Sequence, residues 1–202
     1  MILGFAHVAY SSADPEAAIS LFNRDIDRRY EGVASHPAKG ILLANAAKTH
    51  DLILLKGQPT IEVVSHDTGT IAGPETIGLD GSTIVLRVAD PGRERAFLKA
   101  GFAAREEEDA LLIPGVFPTW QATLKLHRSA QSPAGSPLDI DGFSCVAFYS
   151  SDLEQDRKRL LELGGHHQTE IFDVTLNGRR LDILMLRSPN GIIIELVKVA
   201  RR

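Results

Sequence analysis

The sequence predicts an α+β fold made of repeated β-α-β-β-β modules, and three observations carry that reading. Gly4-Phe5-Ala6-His7-Val8-Ala9-Tyr10 recurs without a gap, 138 residues later, as Gly142-Phe143-Ser144-Cys145-Val146-Ala147-Phe148. The same offset lays Ser12, Asp14 and Glu16 on Ser150, Asp152 and Glu154, and a fixed offset sustained over two elements marks an internal repeat. Ala13-Asp14-Pro15 returns as Ala89-Asp90-Pro91 at the same distance from a strand-like run, which starts a further unit.

In the first module, residues 1–67, Asp14 is placed to N-cap a helix and Pro15 to occupy its first position. Ala18, Leu21, Phe22 and Ile26 supply an apolar stripe at helical spacing, so the helix is expected to run to about Arg28. Ile41-Leu42-Leu43, Asp51 to Leu55 and Thr60 to Val64 read as three strands between Gly and Pro punctuation. Residues 68–82, rich in Gly, Thr and Pro, read as a linker.

The second, shorter module, residues 83–128, opens on strand Thr83 to Val88. A helix is expected from Arg93 to Lys99 with Gly101 as its C-cap, then strands Ala110 to Ile113 and Thr119 to Leu126. Pro118-Thr119-Trp120-Gln121 aligns with Pro59-Thr60-Ile61-Glu62, which sets Gln121 at the place of Glu62. A second linker, residues 129–141, leads to the third module, residues 142–202. There a helix capped by Ser151 or Asp152 stops at Gly164-Gly165, and Asn177-Gly178 signals a type I′ hairpin. Ser188-Pro189-Asn190-Gly191 then turns into a closing strand, Ile192 to Val197.

Composition narrows the function. A net charge of −4 with scattered Lys and Arg is not the footprint of a nucleic-acid binder. No eighteen-residue apolar run and no leader pattern occur, so no membrane partner is expected. Cys145 is the single cysteine, which leaves no intrachain disulfide and fits a reducing, cytoplasmic setting. The chain lacks a Ser-His-Asp context, a phosphate-binding Gly loop and a zinc-type Cys pair.

His7 in a first strand followed by an Asp-Pro helix cap, Thr60-Ile61-Glu62-Val63-Val64, and above all Ser188-Pro189-Asn190-Gly191-Ile192-Ile193-Ile194-Glu195-Leu196 resemble the vicinal oxygen chelate superfamily. That group contains glyoxalase I, bleomycin-resistance proteins, methylmalonyl-CoA epimerases and extradiol dioxygenases. The last stretch is similar to a closing D-P-x-G-x-x-x-E-L pattern, with Ser in place of Asp. The resemblance implies that two modules pair into a cup-shaped mixed sheet with helices on its outer face, and that a divalent metal sits in the cup. The ligand positions it implies are His7 and Glu62, Thr83 and Gln121, and Cys145 and Glu195.

The chemistry of these positions is consistent with that implication without requiring it. Glu62 and Glu195 lie in apolar strands, where a buried carboxylate needs a metal, an Arg or a hydrogen-bond donor, or else faces solvent on a one-sided sheet. His7, read as sharing a face with Phe5 and Ala9, is either a core histidine or a metal ligand beside two carboxylates. Cys145 is a soft thiolate ligand or, on the simpler reading, a small hydrophobe beside the substrate. His66 shares the strand face of Glu62 and can reach the cup or stay at the surface. Arg87, inside an apolar strand, can meet a substrate anion or stay solvated.

Modules one and three offer the richest set: His7, Glu62 and Glu195 as ligands to Fe, Mn, Ni or Zn, Glu62 or Glu195 also as proton-transferring base, and Cys145 toward substrate. Gln121 and Arg87 are the second module's candidates for substrate contact. The expected function is a metal-dependent lyase, isomerase or dioxygenase acting on a small oxygenated metabolite. The alternative is a metal-free small-molecule binder of the bleomycin-resistance type. The second module is then left without a partner, with a sheet face that must be covered, and is expected to pack against its counterpart in a second copy as a homodimer.

Overall fold

A computed structural model of the protein describes residues 1–116, 120–130 and 136–199. In chain order the elements are β1 (Ile2–Ser11), α1 (Pro15–Phe22), β2 (Ile26–Ala34), a 3-10 helix (Pro37–Leu42), β3 (Thr49–Leu55) and β4 (Ile61–His66). There follow β5 (Ile77–Asp80), β6 (Thr83–Val88), α2 (Pro91–Phe102), β7 (Arg105–Glu107), β8 (Ala110–Pro114) and β9 (Gln121–Arg128). The last group is β10 (Gly142–Ser150), α3 (Leu153–Glu162), β11 (His166–His167), β12 (Phe172–Leu176), β13 (Arg179–Arg187) and β14 (Ile193–Val199).

Two mixed sheets result. The larger runs β11-β13-β14-β10-β1-β4-β3-β2, with β12 also on β13. Its centre is the antiparallel pair β1–β10, the two strands related by the 138-residue repeat, so the first and third modules do form the cup. β4 and β14 lie parallel to β1 and β10 on either side of that seam. Helix caps follow the sequence: Asp14, Asp90 and Asp152 each accept a backbone N–H three residues on.

The alternation of strand side chains sorts the large sheet into two faces. Phe5, Val8, Ile61, Val63, Val146, Phe148, Ile194 and Leu196 belong to one core, with Ala18 of α1, Phe97 of α2 and Leu160 of α3. The helices therefore cover the outer face, as expected. The smaller sheet, β5-β6-β9-β8-β7, turns Ile84, Leu86, Leu111 and Leu124 into that same core.

Several elements differ from the sequence reading. The first helix stops after Phe22 because Asn23 takes a left-handed C-cap (φ 48°), and Ile26 begins a strand instead of extending the helical stripe. Ile41 and Leu42 lie in the 3-10 helix, so the module's second strand is residues 26–34. α2 continues past Gly101 to a left-handed Ala103; Gly101 serves packing, since a Cβ there would lie 2.7 Å from Leu160 Cδ2 on α3. The stretch read as a linker before residue 83 contains β5, which pairs antiparallel with β6. The Asn177-Gly178 turn holds, both residues at positive φ. Thr119, the expected start of a strand, Pro118 beside it and residues 131–135 of the second linker lie outside the described residues.

The outward face of the small sheet carries Thr83, Arg87, Gln121, Thr123, Lys125 and His127 around a buried Val85 and a half-buried Leu112.

β1 carries an extra residue: Phe5 pairs with Phe148 and His7 with Ala147, so the register shifts between them. Phe5 consequently enters the helix-side core while His7 turns into the cup, which corrects the expectation that they share a face. Next to this irregularity Gly4 (φ +152°) packs on Gly115, where a Cβ would meet backbone atoms at 2.6–2.8 Å. Gly4→Ala is expected to cost about 2 kcal/mol by overpacking, read as a lower urea midpoint with an unchanged m-value.

Candidate metal centre

Three strands deliver the three ligand candidates to one place. Glu62 on β4 is level with Ala9 of β1, and Glu195 on β14 is level with Ala147 of β10, itself opposite His7. His7 Nε2 lies 3.3 Å from Glu62 Oε2 and 3.5 Å from Glu195 Oε2. One donor atom from each residue falls within 4.8 Å of the other two. Nε2 has no aligned hydrogen-bond partner among the described residues although it is buried, and is left aimed between two carboxylates.

Their charges are interlocked. Burial alone lowers the His7 pKa, but the carboxylates, Glu62 foremost, more than reverse this and hold the imidazole at about 10 against 6.5. Burial pushes Glu62 up, and the His7 charge overturns that and leaves its carboxyl below the ordinary value. Without a cation from outside, the imidazolium offsets only one of the two carboxylate charges.

The residues fit a divalent ion. Two donors each about 2.1 Å from one ion, at angles of roughly 90–110°, stand roughly 3.0–3.4 Å apart, close to the two His7 distances. One imidazole and two carboxylates suit Fe, Mn, Ni or Zn, and three protein ligands leave positions for water or substrate.

The three residues line a cavity of about 220 Å³ inside the cup. Its apolar lining comes from the third module, with Val174, Leu181, Ile183 and Met185, and from the first, with Leu52 and Val64. Cys145 also lines it, beside Ile193 and opposite Ala9, 2% exposed. Burial, then the charges of Glu195 and Glu62, push its thiol well above the ordinary range, and its sulfur is not within reach of the His7 cluster. The hydrophobe reading of Cys145 is the one its surroundings favour. Cys145→Ala is therefore expected to keep full metal stoichiometry and cost about 1 kcal/mol in urea unfolding, while the native thiol reacts with a disulfide reagent only on unfolding.

Arg87 and Gln121 are not brought to this cavity. Both lie on the outward face of the small sheet, and Arg87 sits 3.5 Å from Glu75. Thr83, the remaining ligand position of that module, is on the same face. Conversely, His66 is buried in the cup, together with His50 opposite it. His66 was marked by its parity with Glu62; His50 becomes a cavity residue only through the β3–β4 register.

No helix among the described residues is long and apolar enough to cross a membrane. No family model matches the chain, and neither does any curated protein sequence. Among solved structures, the chain is similar to glyoxalase I from Zea mays at 16% identity and a TM-score of 0.39, over 96% of this chain and 67% of that one. A hypothetical protein from Bacillus halodurans is similar at 10% identity and a TM-score of 0.43, over 98% and 95% of the two chains. An integron cassette protein from V. cholerae is similar at 17% identity and a TM-score of 0.40, over 56% of this chain and 90% of that one. All three similarities are low, and the assignment of the site rests on the geometry of His7, Glu62 and Glu195.

Proposed function

We propose that the protein is a metal-dependent enzyme of the lyase, isomerase or dioxygenase kind that acts on a small oxygenated metabolite in the cup. The observation that carries this reading is the convergence of His7 Nε2 and two carboxylates in the cavity of the cup, with Nε2 lacking an aligned partner among the described residues. His7, Glu62 and Glu195 would hold the ion. When bound, the ion supplies Lewis acidity toward a substrate oxygen. The chain's own residues do the rest: the aliphatic wall excludes water from the apolar part of the substrate, and Glu62 or Glu195 can pass a proton through the oxygen not engaged with the ion.

A second reading, a metal-free binding protein, is favoured by one observation: a protonated His7 already stands between Glu62 and Glu195 as an ion-pair partner to both. Elemental analysis of untagged protein, followed by reloading with Fe, Mn, Ni or Zn, separates the two. Stoichiometric metal that disappears in His7→Ala supports the enzyme; no binding of any of these ions under reloading establishes the second reading.

A further inference from the structure

The cavity holds a second polar group that the metal centre does not use. His50 and His66 face each other across β3 and β4, 2% and 8% exposed, with ring centroids 5.9 Å apart. None of their four ring nitrogens has a hydrogen-bond partner among the described residues. Burial, reinforced by the Lys39 charge, lowers both pKa values, that of His50 to about 3, so both rings are neutral. A buried polar group left unpaired costs free energy, and two adjacent ones opening on a cavity fit a partner that arrives with a ligand.

The charge around them specifies that partner. Lys39, held by the 3-10 helix with Nζ 6.0 Å from the Phe172 ring centroid, lines the cavity with them. Nearby carboxylates are engaged elsewhere: Asp139 accepts the N–H groups of Ala44 and Asn45, and Asp67 those of Lys48 and Thr49. The other ionised side chains lining the cavity are Arg28, Arg179, Glu62, Glu195 and, until a metal displaces its proton, His7; an ion on the two glutamates would leave the cations in excess. Along β4, His66 stands four residues from Glu62 on the same face, about 13 Å at the usual strand rise, with Val64 and its neighbour Leu52 between them.

We infer that His50, His66 and Lys39 form a subsite for a carboxylate of the ligand, whose apolar middle lies over Val64 and Leu52 and whose other end carries the oxygens for the metal centre. Only the assignment of that other end rests on the metal-dependent reading.

The test is calorimetric titration of Mn²⁺-loaded and chelator-stripped protein with linear 2-oxo diacids of roughly five to eight carbons, lengths set by the strand spacing, against 2-oxo monoacids of equal length. At least one diacid is expected to bind about tenfold or more tightly than its matched monoacid, the worth of a charge-assisted hydrogen bond. The double variant His50→Phe/His66→Phe, and separately Lys39→Met, should remove that preference and leave monoacid affinity unchanged. The double variant should melt no lower than the parent, because two unpartnered polar rings are gone; a structural role would lower its midpoint. Equal affinity for diacids and monoacids, absence of diacid binding, or equal weakening of both by the variants overturns the subsite. A diacid preference that survives stripping, with no response to Mn²⁺, keeps the subsite and removes the metal reading. Tightening by Mn²⁺ without a diacid preference does the reverse.

Discussion

Glu195→Gln, which preserves the shape of the side chain and removes its charge, is expected to weaken Mn²⁺ or Zn²⁺ binding by more than about a hundredfold, and His7→Ala by at least as much. Competition with a chromophoric chelator measures both. Loss of a direct ligand should exceed the 10–100-fold typical of an outer hydrogen-bonding partner. Arg87→Ala and Gln121→Ala provide the contrast: both residues are on the outward face of the small sheet, and their affinities should match the parent. Retention of full affinity by Glu195→Gln would remove β14 from the metal centre and leave the seam between modules one and three without a functional reason at that level.

The second large effect is with pH. A metal must displace the proton that Glu62 and Glu195 hold on His7, whose pKa is raised to about 10. Between about pH 6 and pH 9, apparent metal affinity should rise about tenfold per pH unit, with close to one proton released per ion bound, measurable by calorimetry in buffers of different ionisation heat. Stability of the metal-free protein moves the opposite way. The folded pKa of His7 lies above its unfolded value of 6.5, so its contribution is fully present below about 6.5 and is lost as pH rises through about 10. The Glu62 contribution has the other sign: its lowered pKa stabilises above 4.5 and fails as pH falls below it. Urea midpoints of chelator-treated protein should therefore decline on the alkaline side, and His7→Ala should flatten that decline.

What the sequence displayed and what it concealed divide along physical lines. The repeat of Gly4-Phe5-Ala6-His7 in Gly142-Phe143-Ser144-Cys145, the Asp caps and the Asn-Gly hairpin are local signals, and each survives in the structure. His7, Glu62 and Glu195 were marked by the resemblance to the vicinal oxygen chelate pattern, and their place as polar residues within apolar strands agreed with it. Ile26 was misplaced because it continues a helical stripe that Asn23 interrupts through its backbone conformation, a cap that apolar spacing does not reveal. Arg87 and Gln121 occupy repeat positions equivalent to functional ones, yet β6 pairs with β5 where β1 pairs with β10, and that choice of neighbour decides whether a cup forms. His50 and the Lys39 segment join the site through cross-strand register and a contact from Leu138 N–H to the Leu42 carbonyl, 96 residues apart, which periodicity cannot carry.

The seam between β1 and β10 also sets a schedule. Ile2–Ser11 cannot find its partner until Gly142–Ser150 exists, and Glu195 comes later still. At about 5–20 residues per second of synthesis, a nascent chain waits roughly 10–30 s with the long edge of its first strand unpaired on that side. Contacts of such separation fold slowly and leave strand edges open to wrong neighbours. During that interval the candidate ligands of the first module, His7 and Glu62, are already made, but Glu195 arrives only with β14. On the metal-dependent reading, capture of the ion waits for β14.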